Sequence, residues 1–328
     1  VTLWVGTYRE QGGPGLTPLA TLDPLAAGQP TEAIANASFG VWSAHHGLAY
    51  FVDELDDGRV GAWRRDAGGW ALAGTCTSGG AAPCFLSLSN DGSLLAVANY
   101  GDGTVGLIGV NPETGYPERL LDLYQGEGHG PDPERQEGPH AHCVLFAEDD
   151  ATLYHVDLGT DRIYRHEVGP SGFADASVAF QAPAGIGPRH LALLPASDLA
   201  LLVCELGARL LLLRREEGRF VCLDDVATAP VPCKGNLGGH LGLMADGTIY
   251  VTNRGHDSLV RFAIEDEKLV RQAWWPTGGS SPRHFIIDRT TALVAHEEGG
   301  GVTRLDLDGG LPGRADIPAA AFLIDIPD

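Results

Sequence analysis

Pro188-Arg-His-Leu-Ala-Leu-Leu-Pro-Ala-Ser-Asp-Leu-Ala-Leu-Leu-Val-Cys-Glu205 reads as a short apolar strand, a turn and a second apolar strand, with polar residues at both ends. The same outline recurs at Pro83–Asn99, Pro139–Asp157, Gly239–Asn253 and Pro282–His296, with a weaker copy at Phe39–Asp53. The residues that close the second strand of each copy, led by Thr7, are Thr7, Asp53, Asn99, Asp157, Cys204, Asn253 and His296. They are separated by 46, 46, 58, 47, 49 and 43 residues. Seven such markers fit the four-stranded blades of a β-propeller. Helical repeats of similar length do not fit, because runs such as Thr248-Ile-Tyr-Val-Thr-Asn253 carry no sustained 3.6-residue period.

In the quoted blade the expected strands are His190–Leu194, Leu199–Glu205, Arg209–Arg214 and a less patterned one near Phe220–Val226. Asn90-Asp-Gly92 and Ala245-Asp-Gly247 supply tight turns elsewhere. The long step of 58 is explained by Gly126–His142, a run too rich in Gly and Pro to be a strand and therefore an enlarged loop. The N-terminus opens directly on a second-type strand, Val1–Thr7, and Pro318–Ile326 is a strand with no successor. The C-terminal strand is therefore expected to complete the first blade and close the ring, removing two sheet edges. The expected architecture is all-β, a seven-bladed propeller in a single domain over residues 1–328.

Composition agrees. The 328 residues include 45 Gly and 21 Pro, suited to many short strands, and 44% are hydrophobic, enough for a large core. A net charge of −21 argues against a nucleic-acid partner. No apolar run approaches the length of a membrane helix, and the first residues read as a strand rather than a signal peptide. Of the six cysteines, 84, 143, 204 and 222 sit in apolar runs, where a thiol behaves as a small hydrophobe. Reduced thiols in a cytoplasm are expected, with a Cys76–Cys84 bridge as the alternative.

In an antiparallel blade, the start of the first strand and the end of the second lie at the same edge. The starts carry His140, His142, Arg189, His190, His240, Arg283 and His284. The ends carry Tyr8, Glu54, Tyr100, Glu205, Arg254 and Glu297. One funnel lined by His, Arg and Glu is expected.

The runs Gly6-Thr-Tyr8, Ala98-Asn-Tyr-Gly101, Pro133-Glu-Arg-Gln-Glu-Gly-Pro-His-Ala-His142, Gly187-Pro-Arg-His190, Glu205-Leu206, Asn253-Arg-Gly-His-Asp257 and Ser281-Pro-Arg-His-Phe285 resemble the seven-bladed propeller lactonase family. That family includes propeller-type 6-phosphogluconolactonases and 3-carboxy-cis,cis-muconate cyclase. The resemblance spans the chain. It implies a site of His140, Arg189, Glu205 and Arg254. The chain departs from the family pattern at Cys204 before Glu205, at His296-Glu-Glu-Gly in the seventh blade, and at Phe39-Gly-Val-Trp-Ser in the second.

Lactone hydrolysis needs an activated water, a stabilised oxyanion and a held anionic tail. Glu205 is the expected general base, since a carboxylate in a partly closed funnel tends to a raised pKa. Arg189 and Arg254 bind the anion or oxyanion, and His140 is the acid. Arg283, His142, Tyr100 and Arg135 are expected to bind substrate. The alternative role for Glu205 is a structural ion pair with Arg189 or Arg254. His190 and His284 recur at one blade position, which points to packing, and His240 is similar. His140-x-His142 share a strand face, but spacing fixes no third ligand, so no metal and no cofactor is expected. His45, His46 and His129 are expected in solvent, and Asp102, Asp161 and Asp257 on turn backbone. Arg135 and Gln136 either fold over the funnel or anchor the loop. Most of the six tryptophans are expected in packing. The expected function is hydrolysis of a small anionic sugar lactone in the cytoplasm. The alternatives are a muconate-type cycloisomerase acting on a dicarboxylate and a non-catalytic binding scaffold.

Overall fold

The computed structural model describes residues 2–169, 171–309 and 312–327. Val1, counted above into the first strand, and Asp328, the end of the expected domain, lie outside the described residues. The described strands form seven four-stranded antiparallel sheets, as the repeat count predicts. Chain segments Val1–Ala37, Ala192–Arg214 and Cys222–Asp328 form one compact unit, and Ser38–Leu191 with Arg215–Val221 form another.

Three sheets belong to the second unit. The first is Gly40–Ser43, Leu48–Asp53, Arg59–Asp66 and Gly69–Thr77. The second is Pro83–Leu88, Leu94–Asn99, Thr104–Val110 and Pro117–Gln125. The third is Ala141–Phe146, Thr152–Asp157, Arg162–Gly169 and Gly172–Gln181. Leu48, Tyr50, Val52, Leu86, Leu95, Val97 and Ile108 interdigitate between the first two. Strand alternation alone would bury every second residue, yet Leu94–Asn99 is buried along nearly its whole length. Both faces of such a strand meet a neighbouring sheet, so the sequence shows a continuous apolar run.

The quoted stretch supplies Pro188–Leu193 and Leu199–Cys204, followed by Arg209–Glu216 and Arg219–Ala227, a sheet within a few residues of expectation. In the first unit, Leu237–Leu243, Ile249–Arg254, Ser258–Glu265 and Lys268–Pro276 form one sheet. Ser280–Asp288, Thr291–Gly299, Val302–Asp306 and Gly313–Ala315 form another. The last sheet joins both ends of the chain: Ala320–Ile326 pairs antiparallel with Thr2–Thr7, from Thr2 opposite Ile326 to Thr7 opposite Ala320. Thr17–Leu22 and Leu25–Ala27 complete it. The closing strand packs through Leu323 against Val5, Leu293, Ala295 and Val302.

The turn aspartates do more than cap their own turns. Asp102 accepts from the Ala81 and Thr104 N–H groups, Asp161 from those of Gly185 and Gly187, and Asp257 from those of Gly255 and Ser281. Asp161 and Asp257 thus tie a turn to the start of the following sheet, while Asp102 ties its turn to the approach of its own sheet's first strand. Asp161 and Asp257 take left-handed backbone, with φ of 55° and 53°, which Asp tolerates better than most residues.

Three expectations are corrected here. Cys222 is exposed, because its strand is the fourth and most solvated of its sheet. His46 is half-buried, its ring between the Ser43 hydroxyl at 3.1 Å and the Pro112 carbonyl at 3.3 Å. His140 precedes its strand, which begins at Ala141 and bulges between Ala141 and Cys143, so His140 and His142 do not share a regular strand face. Cys76 is a free thiol, so the Cys76–Cys84 bridge is not formed. Trp4 is buried and Trp70 packs edge-on to Phe51, whereas Trp274 is exposed.

Candidate active site

In the unit that contains residues 192–214 and 222–328, Glu205 and Arg254 stand at the ends of successive second strands. Glu205 Oε2 lies 2.6 Å from Arg254 Nη2, and the side chains are only 2% and 10% exposed. The same Nη2 donates to the Gly238 carbonyl at 3.3 Å. The Arg254 Nε–H is buried and has no hydrogen-bond partner. A second pair lies in the same unit: Arg283 Nη1 donates to Glu297 Oε2 at 3.0 Å, with both side chains mostly buried. The Arg283 guanidinium sits 5.3 Å from the Tyr8 ring centre, a cation–π contact. Burial raises the Glu297 carboxyl pKa, but Arg283 and then Arg254 outweigh it and hold the group below its ordinary value. Glu297 therefore feels both arginines, and two acids and two bases balance one another in a poorly solvated place.

In the unit of residues 38–191, Arg189 Nη1 donates to His142 Nε2 at 2.5 Å. A guanidinium has no acceptor, so Nε2 must carry a lone pair and His142 is neutral with its proton on Nδ1. That Nδ1 faces Cys84 Sγ at 3.9 Å. His140 is 8% exposed and stacks on Tyr100 with ring centres 4.6 Å apart. Its backbone N–H donates to Asp157 Oδ1, and its Nδ1 donates to the Tyr100 carbonyl at 2.8 Å. His140 Nε2 lies 3.3 Å from Glu137 Oε1, an ion-pair contact without a formed hydrogen bond.

The enlarged loop divides its work between neighbouring residues. Gln136 is fully buried and anchors the loop, donating to the Leu158 carbonyl and accepting from the Asp132 N–H. Arg135 reaches the Tyr100 hydroxyl at 3.1 Å. Of the expected substrate-binding residues, His142, Tyr100 and Arg135 thus surround His140 and Arg189, while Arg283 accompanies Arg254 and Glu205.

The recurrent ring position packs. Phe39 stacks on Phe85 at 3.9 Å, Phe85 lies 5.3 Å from His190, and His190 lies 5.4 Å from His142. In the other unit His240 lies 3.9 Å from His284, and His284 lies 4.8 Å from Phe322. His and Phe interchange at one place in the repeat because each contributes a flat ring.

The chain matches the family described as "Lactonase, 7-bladed beta-propeller" over residues 2–310. It belongs to that family. Its fold is accordingly a seven-bladed β-propeller of four-stranded antiparallel sheets, and it is an enzyme of the lactone-hydrolase type. An uncharacterized protein of Staphylococcus saprophyticus is 32% identical, covering 91% of this chain and 89% of that protein. The 6-phosphogluconolactonase of Bacillus subtilis is 28% identical, covering 93% and 90%. The structure of the Pseudomonas aeruginosa periplasmic gluconolactonase PpgL is 25% identical, with a TM-score of 0.86 over 99% of both chains. Among the described residues, no helix is long and apolar enough to cross a membrane.

Sequence reading passed over Glu137 and gave Glu297 no role. Glu137 lies inside the most specific family run, three residues before His140, and that spacing was the available signal. The buried His155–His166 pair was also missed. The nitrogens of these two imidazoles stand 3.4 Å apart, and nothing in the period-2 pattern distinguishes them from apolar neighbours.

Proposed function

We propose that this lactonase opens a small anionic sugar lactone, with 6-phosphogluconolactone as its substrate, in the cytoplasm. The Bacillus subtilis relative named for that activity supports the substrate. The observation that carries the chemistry is the buried Glu205–Arg254 pair, whose arginine keeps an unpartnered Nε–H. A buried guanidinium with a donor in hand suits an anionic oxygen.

In this reading Glu205 takes a proton from water as the water oxygen attacks the lactone carbonyl. Arg254 and Arg189 stabilise the oxyanion or hold the anionic tail. When the intermediate collapses, the bond between the carbonyl carbon and the ring oxygen breaks. The ring oxygen takes a proton from His140, giving the open hydroxy acid, and Glu205 returns its proton to solvent. Arg283, His142, Tyr100 and Arg135 assist by binding substrate or holding these groups. The whole chain, residues 1–328, is proposed to act as one domain.

The test is turnover of 6-phosphogluconolactone, gluconolactone and a linear muconate, followed by Glu205→Gln and Arg254→Ala. Hydrolysis of the phosphorylated lactone, with kcat/KM falling at least about a hundredfold in each variant, is expected. Conversion of the muconate alone would replace hydrolysis by cycloisomerisation. Full activity in both variants would refute the site.

A further inference from the structure

The ladder between Ser280–Asp288 and Thr291–Gly299 pairs Pro282 with His296 and then slips before His284 meets Ala295. Arg283 falls in the slip, and a bulge of this kind re-aims a side chain. Its guanidinium turns to Glu297, the residue after His296. Nη1 donates to Oε2 at 3.0 Å, and the guanidinium lies over the Tyr8 ring at 5.3 Å. The two side chains are 16% and 15% exposed, so the pair is sheltered but still reached by water.

The charges of this pair cancel, so it holds no surplus for an anionic tail. What it offers is a donor beside an acceptor, the complement of a hydroxyl group, which itself both donates and accepts. Burial pushes the Glu297 carboxyl up, but Arg283 and then Arg254 outweigh it and keep the group below its ordinary value, so it stays an acceptor. Its second oxygen is lightly used. Among the described residues, Oε1 meets only Gln11 Nε2, at 3.4 Å, and Gln11 is exposed. A hydroxyl displaces so long a bond at little cost.

We propose that Glu297, oriented by Arg283, is a specificity-determining residue that reads a hydroxyl group of the substrate, which is thereby a polyhydroxylated lactone. Oε1 accepts the hydroxyl in place of Gln11, while Arg283 and the Tyr8 ring hold the carboxylate in position. An analogue without hydroxyls leaves Oε1 desolvated and without a donor, which is how such a site rejects it. Glu297 has no part in the bonds made and broken in ring opening, so its contribution falls on binding and its loss appears in KM. The proposal deepens the lactone-opening reading and rests on it for turnover, whereas recognition of hydroxyls is measurable without turnover.

The experiment compares kcat/KM of the full chain on glucono-δ-lactone, whose ring carries hydroxyls, with that on δ-valerolactone, the same ring without them. Glu297→Gln removes the charge at constant size. Glu297→Asp keeps the charge and withdraws the oxygen by one methylene, which guards against a Gln variant that fails to fold. On gluconolactone both variants should lose at least about tenfold, mainly in KM, and on δ-valerolactone they should change by less than about threefold. Equal losses on both lactones would show a structural pair and overturn the proposal, and so would an unchanged KM for gluconolactone. A calorimetric titration with gluconate and with hexanoate, its hydroxyl-free counterpart, separates this proposal from the proposed function. Gluconate is expected to bind more tightly to the unaltered chain, with the preference lost in Glu297→Gln. That result in a protein that opens neither lactone supports hydroxyl reading and refutes lactone opening, while equal binding of the two acids overturns hydroxyl reading even in an active lactonase.

Discussion

The strand Ala320–Ile326 completes the sheet begun by Thr2–Thr7, and its loss should be felt by the whole unit that contains it. Leu323 is 1% exposed and faces Val5, itself fully buried, across the register. Leu293, Ala295 and Val302 pack against the same side chain group. Leu323→Ala removes buried methyl groups where the paired strand Thr2–Thr7 is held by hydrogen bonds and cannot collapse inward. A cost of about 2–5 kcal/mol is expected, a sizeable part of a typical stability of roughly 5–15 kcal/mol. Asp325, exposed on the same strand, serves as the control, and Asp325→Asn should change stability by no more than about 0.5 kcal/mol. Ending the chain at Ile317 removes the strand entirely. It deletes the ordering cost of those residues but leaves the Thr2–Thr7 edge unpaired and Val5 uncovered. Urea denaturation followed by circular dichroism reads all three variants. The truncated chain should unfold at markedly lower urea or fail to fold, and Leu323→Ala should lie between it and the control. A truncated chain with an unchanged midpoint, or a Leu323→Ala variant indistinguishable from Asp325→Asn, would refute closure by this strand.

Three further outcomes follow from the structure. His155 and His166 are fully buried, and burial holds His166 down at about 4 and His155 well below its ordinary value. The unfolded chain therefore binds protons that the folded chain refuses, so stability is lost as pH falls from about 6.5 towards 4. His166 alone accounts for roughly 3 kcal/mol of this, and His166→Phe should flatten the acid side of a stability-versus-pH curve; an equally steep curve would count against it. Asp257→Ala deprives the Gly255 and Ser281 N–H groups of their acceptor and should cost about 2 kcal/mol in urea denaturation, while a neutral result would show these bonds replaceable by water. A methyl group at Gly159 would lie 1.9 Å from the Gly138 carbonyl oxygen and 2.8 Å from the His140 nitrogen. Gly159→Ala should thus displace the loop end that seats His140 and lower kcat at least about tenfold, and unchanged turnover would remove His140 from the chemistry.

Much of this was legible in the sequence because it is local. Each blade is written as apolar runs separated by turn-forming residues, Asp-Gly in some of them, and its register follows from which residues are apolar. The closing strand was legible as the apolar run within Pro318–Ile326. The turn aspartates were also read correctly, although the bonds of Asp161 and Asp257 to the start of the next sheet were not. The cysteine at 222 and the histidine at 46 were misplaced for the opposite reason. An apolar run does not reveal whether its sheet position is covered, and a loop histidine does not reveal that a carbonyl sixty-six residues away will meet it.

The sequence by itself determined the seven repeats, the enlarged loop, and the set of His, Arg and Glu at strand starts and ends. Tertiary structure decided which of those charges meet. The fold sets Arg254 against Glu205 at 2.6 Å, Arg189 meets His142, Arg283 meets Glu297, and the unremarked Glu137 faces His140. The physical reason is one of range. Hydrogen-bonded strands and turns are fixed by neighbours in the chain, whereas a buried charge takes whatever partner the packing of separate sheets brings within a few ångströms, where low solvation makes the choice matter.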